Sequence, residues 1–326
     1  MTRHAKKCMP FNMTQISPKV VCLGSLNMDL VIQVQRAPSE GETVQGESIR
    51  YVPGGKGANQ AVSCARQGAR VSMMGRVGTD HHGKVLCDAL QKDGIAIQGV
   101  QVDPEESTGV AMVMVEESGL NRIVVIAGAN GKLSLDESQL VQELSDAQFL
   151  VMQFEVPMEQ VLQAAKVARR LGCKVVLNPS PAKILPEELW SLVDVMIVNE
   201  TEARFLTGLS PDTDPQVAAE VGRQLIANGV AQVVVTLGAL GAVATDRGGC
   251  TYHPAPQVQV VDTTAAGDTF LGVVTVGLAS NQSLTASVDL GIRASTLCIQ
   301  TMGAQPSIPT LAQTLQSSSV PSWISL

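Results

Sequence analysis

The sequence predicts an α/β fold, a doubly wound and mainly parallel sheet flanked by helices, with a small β-sheet lid. Three features predict it. From residue 19 onward, short apolar β-branched runs alternate with segments of helical period, several of those segments end at a glycine, and two stretches break the alternation with strand-like runs around polar turns.

Residues 1–18 read as a flexible tail. Arg3, Lys6 and Lys7 precede Cys8-Met9-Pro10-Phe11-Asn12, which is too short and broken for the apolar region of a signal peptide. Strands are expected at 20–23, 71–74, 149–152, 174–177, 195–198 and 232–236, short runs such as Val20-Val21-Cys22-Leu23 that a sheet buried on both faces requires. Helices are expected at 57–67, 83–92, 136–144, 158–171, 200–207 and 215–228, with Gly68, Gly94, Gly172, Gly208 and Gly229 placed to end them. The interruptions, about 28–53 and 108–126, each hold two apolar runs around a polar turn and read as hairpins. Together they predict a lid inserted into one α/β domain over 19–315, followed by a C-terminal tail over 316–326.

Of the 326 residues, 45% are hydrophobic and 16% charged, a balance that excludes both a disordered chain and a membrane bundle. No stretch approaches the roughly 20 apolar residues of a membrane helix. A net charge of −7 argues against a general nucleic-acid binder, which needs net or clustered positive charge. The cysteines number seven and form no C-x-x-C pair, so they read as reduced core thiols of a cytoplasmic protein.

The segment with the most chemical content is Asp262-Thr263-Thr264-Ala265-Ala266-Gly267-Asp268-Thr269-Phe270, a strand end running through small residues into a helix reaching about Ala279. Small residues let helix-start N–H groups approach an anion, and the helix dipole favours negative charge there, so 266–267 form a candidate phosphate cradle. Asp268 at its mouth is placed to accept a proton from an attacking hydroxyl, or else is simply the helix N-cap. Gly54-Gly55-Lys56-Gly57-Ala58-Asn59-Gln60 lacks the Walker A spacing. Its glycines allow close approach to a small polyol, with Lys56 and Asn59 on one side, or it is a glycine-rich helix start with a solvated lysine. In Gly24-Ser25-Leu26-Asn27-Met28-Asp29, the i, i+2 spacing puts Asn27 and Asp29 on one face of an extended chain, suited to sugar hydroxyls or to closing a turn. No G-x-G-x-x-G follows the first strand, so a nicotinamide site has no fingerprint.

Taken in order with Asn199-Glu200-Thr201-Glu202, Thr236-Leu237-Gly238 and Gly303-Ala304-Gln305-Pro306-Ser307, these motifs resemble the ribokinase family of carbohydrate kinases over nearly the whole chain. The resemblance implies ATP-dependent phosphorylation of D-ribose at its 5-hydroxyl. By position it makes Asp268 the general base, 265–267 (Ala265, Ala266, Gly267) the anion hole, and Asn27, Asp29, Gly55, Lys56, Asn59 and Glu155 the sugar contacts. It assigns Asn199 and Glu202 to Mg²⁺ and phosphate, and Thr236, Gly238 and Gly241 to the nucleotide loop. It also implies a K⁺ site from Asp262, Thr264, Cys298, Thr301, Gly303 and Ser307, with Cys298 serving through its carbonyl because a thiol is a poor ligand for a hard cation. Where many relatives carry an Asn that contacts the nucleotide, this chain has Ile292. The family's lid also serves as a homodimer surface. The alternatives are a related kinase for 2-deoxyribose, another pentose, fructose or a nucleoside, and a sugar sensor without turnover.

Overall fold

The computed structural model describes residues 17–118, 120–317 and 320–326, so the expected tail lies outside the described residues up to residue 16. The chain enters the main sheet as β1 (Lys19–Leu23) and passes straight into the lid strands β2 (Asn27–Val34) and β3 (Gly46–Gly54). It returns through α1 (Lys56–Arg66), β4 (Arg70–Gly78), α2 (His81–Lys92) and β5 (Ala96–Asp103), then builds the second lid hairpin from β6 (Gly109–Glu116) and β7 (Asn121–Ile126). Alternation resumes with α3 (Glu137–Leu144), β8 (Phe149–Met152), α4 (Met158–Leu171), β9 (Lys174–Leu177), α5 (Glu187–Trp190), β10 (Val195–Val198), α6 (Glu200–Thr207), α7 (Pro215–Ala227) and β11 (Gln232–Thr236). The hairpin β12 (Gly241–Asp246) and β13 (Gly249–Pro254) precedes α8 (Ala266–Ala279), α9 (Leu284–Cys298), α10 (Leu311–Gln316) and the short β14 (Ile324–Ser325).

The main sheet runs β5-β4-β1-β8-β9-β10-β11-β12-β13-β14, parallel from β5 to β11 and antiparallel beyond. Every residue of β8 and β10 is buried, as strands covered on both faces must be. Alternate side chains feed two cores. Val21, Leu23, Leu150 and Met152 pack with α3, α4 and α7, while Val20, Cys22, Phe149 and Val151 pack with α1, α2, α8 and α9. Gly172 and Gly208 end α4 and α6 in the left-handed conformation, as the sequence predicts. Cys22, Cys64, Cys173, Cys250 and Cys298 are free and buried, and Cys87 is free and half-buried.

The expected strands and helices all form, their ends shifting by a few residues. The lid is a four-stranded sheet in the order β3-β2-β6-β7, in which each hairpin is antiparallel and β2 joins β6 in parallel. Because β2 follows β1 after a short turn, the lid is rooted at the carboxyl end of the main sheet. Within the segment read as a C-terminal tail, Ile324 and Ser325 pair with β13 as an edge strand. Among the described residues, no helix is long and apolar enough to cross a membrane.

Candidate active site

The carboxyl ends of β1, β8, β10 and β11 and the starts of α1 and α8 converge under the lid, the place where a doubly wound sheet opens a crevice. The N-cap of α8 is Ala265, held at φ 60°, so Asp268 is the third residue of the helix and not its cap. Its carboxylate faces α1 instead: Asn59 Nδ2 donates to Oδ2 at 3.1 Å and Gln60 Nε2 to Oδ1 at 2.9 Å. The N–H of Ala266 turns back onto the Thr263 carbonyl at 3.2 Å, so Gly267 offers the first open donor of the helix. A Cβ on Gly267 would meet nothing within 4 Å, so the side-chain face of that residue is open.

On the sugar side, close backbone approach explains the paired glycines. Gly55 sits at φ +90°, and a Cβ there would stand 2.6 Å from the Asn27 amide nitrogen; one on Gly54 would stand 2.2 Å from the Asp29 carboxylate. Asn130 Nδ2 donates to Asn27 Oδ1 at 2.8 Å, which turns the Asn27 amide N–H groups toward the site. Glu155 accepts from the Ser25 hydroxyl and from the Lys56 N–H at 3.4 Å. Asn59 is 5% exposed and its Oδ1 has no partner, leaving one acceptor for a ligand hydroxyl. Burial, then Glu155, then Asp268, push the Asp29 carboxyl up to about 7. Burial works to lower Lys56, but Asp268, Glu155 and Glu202 outweigh it and hold the ammonium above its ordinary value. These residues therefore share one small charged space.

Asn199 and Glu202 form a capping box on α6, and the buried Glu202 carboxylate also accepts from Asn178 Nδ2 at 3.2 Å. The cap is structural, yet the Glu202 charge reaches Lys56, so the motif borders the same crevice. Thr236 closes β11 with its hydroxyl on the Val198 carbonyl, and Gly238 follows at φ +49°. Gly241 has a reason of its own: a Cβ would stand 2.0 Å from the His253 carbonyl of β13. Ile292 of α9 is buried in the second core.

The last group lies behind the start of α8. Asp262 accepts from the Thr264 N–H at 2.9 Å, the Thr264 hydroxyl at 2.6 Å and the Gly303 N–H at 2.8 Å. Burial works to raise this carboxyl, but those bonds and Arg50 of the lid hold it below its ordinary range. Cys298 Sγ meets the Ser307 hydroxyl at 3.0 Å and the Thr264 carbonyl at 3.6 Å, while the Cys298 carbonyl receives the Thr301 N–H at 3.0 Å. All six expected cation residues thus meet. Ser25, Gln60, Asn130, Gln153 and Asn178 join the site without a signal of their own in the sequence.

Residues 17–311 match the model of the pfkB family of carbohydrate kinases. The chain belongs to that family. It is 40% identical over 299 residues to ribokinase of Haemophilus influenzae, covering 90% of this chain and 96% of that protein. It is similar to the structure of Arabidopsis thaliana ribokinase complexed with ribose and ATP, with a TM-score of 0.86 at 33% identity, covering 92% of this chain and 98% of the other. A deoxyribokinase of Salmonella typhi is 32% identical over 296 residues, covering 90% of this chain and 96% of that protein. Membership fits the site: the alternation of strands and helices, the lid and the crevice are those of a ribokinase-like fold.

Proposed function

We infer that the chain transfers the γ-phosphoryl group of ATP to the 5-hydroxyl of D-ribose. The observation that carries this is the placement of Asp268, which is no helix cap but a carboxylate held by two side-chain amides between the sugar-side residues and the open N–H of Gly267. With the 5-hydroxyl against Asp268, its proton passes to the carboxylate as its oxygen bonds to γ-phosphorus, and the bond from γ-phosphorus to the bridging oxygen breaks to release ADP. Positioning and charge stabilisation carry most of such a transfer, so a base with modest proton affinity suffices. The amides at the start of α8, following the left-handed Ala265, stabilise charge on the transferring oxygens. Asn27 donates to sugar hydroxyls and Asn59 accepts from one, while Asp29, Lys56, Glu155 and the Gly55 backbone complete a set in which each buried hydroxyl finds a partner.

The donor chemistry fits two ions. Glu202 and Asn199 would hold Mg²⁺ through water, and the ion would supply neutralisation of phosphate charge. Oxygens of Asp262, Thr264, Cys298, Thr301, Gly303 and Ser307 would hold K⁺ behind the anion hole, where it would add positive charge. Thr236, Gly238 and Gly241 line the adenosine side, and the buried Ile292 leaves that side without the amide that relatives place there. One α/β domain over 19–315 carries the lid, which closes over sugar and keeps water from the γ-phosphate. Reduced buried thiols and an ATP-dependent reaction fit a cytoplasmic location, and the apolar lid fits a homodimer.

A coupled ADP-release assay with Mg²⁺, run on D-ribose, 2-deoxy-D-ribose, D-fructose and adenosine with and without K⁺, tests the reading. Ribose-dependent turnover raised by K⁺ is expected. Turnover on another acceptor alone would overturn the sugar, and ribose binding without any turnover would make the chain a sensor.

A further inference from the structure

Behind Asp268 lie two amides that extend the proposed reaction, and their role rests on that reading of the site. Gln60 of α1 and Gln153, just past β8, are both fully buried. Gln153 Nε2 donates to Gln60 Oε1. With its oxygen taken, the Gln60 amide can face Asp268 only with its N–H, and it donates to Oδ1 at 2.9 Å. The cost of this order appears one step back, where Gln153 Oε1 is buried without a partner. Turning the Gln153 amide over would set two carbonyl oxygens against each other, so the orphan is the lesser penalty. Gly24 at the end of β1 makes room for it, since a Cβ there would stand 1.9 Å from Gln153 Oε1. Three segments distant in sequence therefore build one polar chain, Gln153 donating to Gln60 and Gln60 to the carboxylate, with Gly24 of a fourth making room.

We propose that Gln60, oriented by Gln153, is a positioning residue that holds the Asp268 carboxylate aimed at the sugar hydroxyl. A donor on each carboxylate oxygen fixes the plane of the group. The lone pairs that remain are those facing the crevice, where the sugar proton arrives. The Asp268 charge acts on Lys56 from α1, Asp29 from β2 and Cys298 from α9. Among the described residues, its side-chain hydrogen bonds come from Asn59 and Gln60.

Gln60→Met keeps length and approximate volume while deleting the donor. Steady-state kinetics across pH, at saturating ATP and Mg²⁺ with D-ribose, should show kcat lowered roughly 10- to 100-fold and KM for ATP unchanged. KM for D-ribose should also stay unchanged, so that the loss is carried by kcat. Gln153→Glu does not touch Asp268, yet it replaces a donor with acceptors, rotates the Gln60 amide and should lower kcat in the same way. Thermal unfolding and ribose binding report folding for both variants, and if Gln60→Met fails to fold, Gln153→Glu is judged by the same criteria. A folded variant with kcat within about twofold of the parent, or with the loss carried by KM instead of kcat, would overturn the proposal. Asp268→Ala separates the two levels. Full activity there refutes the base itself, whereas an inactive Asp268→Ala beside a normal Gln60→Met refutes this inference alone.

Discussion

Asp29 is the residue at which the crevice most changes a side chain, because burial, Glu155 and Asp268 together push its carboxyl up to about 7. An unfolded Asp ionises near ~3.9. Between those values the native protein holds a proton that the unfolded chain has lost, so stability is present below the window and declines as pH rises through it. Asp29→Asn imitates the protonated form. It should raise the melting temperature by about 2–4 °C at pH ~8 and by almost nothing at pH ~4, measured by scanning calorimetry, while weakening sugar binding. An equal gain at both pH values would contradict the burial argument. The same residue shows what the sequence could reveal. Asn27, Asp29, Lys56 and Asp268 sit in short motifs whose spacing already limits their chemistry, whereas Gln60 meets Asp268 across 208 positions, Gln153 meets Gln60 across 93 and Asn130 meets Asn27 across 103. No local pattern encodes such contacts, because the topology creates them.

Among the elements, the lid is the one that the main domain leaves uncovered. Strand register sets Tyr51, Leu30, Met112 and Val124 abreast on the face opposite Asp29. Leu30 packs against the second core and the Tyr51 ring stacks on His82 of α2, while Met112 is 41% exposed and Val124 61%, so the β6–β7 end of the row is apolar and in solvent. Exposed β7 is also an edge strand, a combination that needs cover. A second copy of the chain supplies that cover in the proposed homodimer. Val124→Glu should weaken the dimer by at least about 2 kcal/mol, roughly 30-fold in Kd, and give monomer in sedimentation velocity at micromolar protein. A monomeric parent protein would contradict the dimer. Both lid hairpins were legible because two apolar runs flank a polar turn. Their parallel junction was not, since α1, α2 and the strands β3, β4 and β5 lie between β2 and β6 in the chain. The strands β5, β12 and β13 carry a weaker signal for a plainer reason. β5 is an edge strand interrupted by Gly99 and mostly half-buried, and β12 is built largely from small residues, so neither shows the dense β-branched run of a central strand.

At the scale of the whole molecule, the parallel strands deliver chemistry to one end. β1 leads to Ser25 and Asn27, β8 to Gln153 and Glu155, β10 to Asn199 and Glu202, and β11 to Thr236, while α1 and α8 bring Lys56, Asn59 and Asp268 from the second core. This arrangement follows from the continuous apolar runs that force a covered parallel sheet, which is why the fold class was readable before any contact was known. All of this geometry bears on the proposed event, the passage of a ribose hydroxyl proton to Asp268 as phosphoryl transfer occurs. Ribose-dependent ADP release by the parent and by Asp268→Ala, with ribose affinity measured on both, decides whether it happens. Turnover should fall by about three orders of magnitude or more while ribose still binds; turnover retained within about tenfold would contradict the role of Asp268 as base.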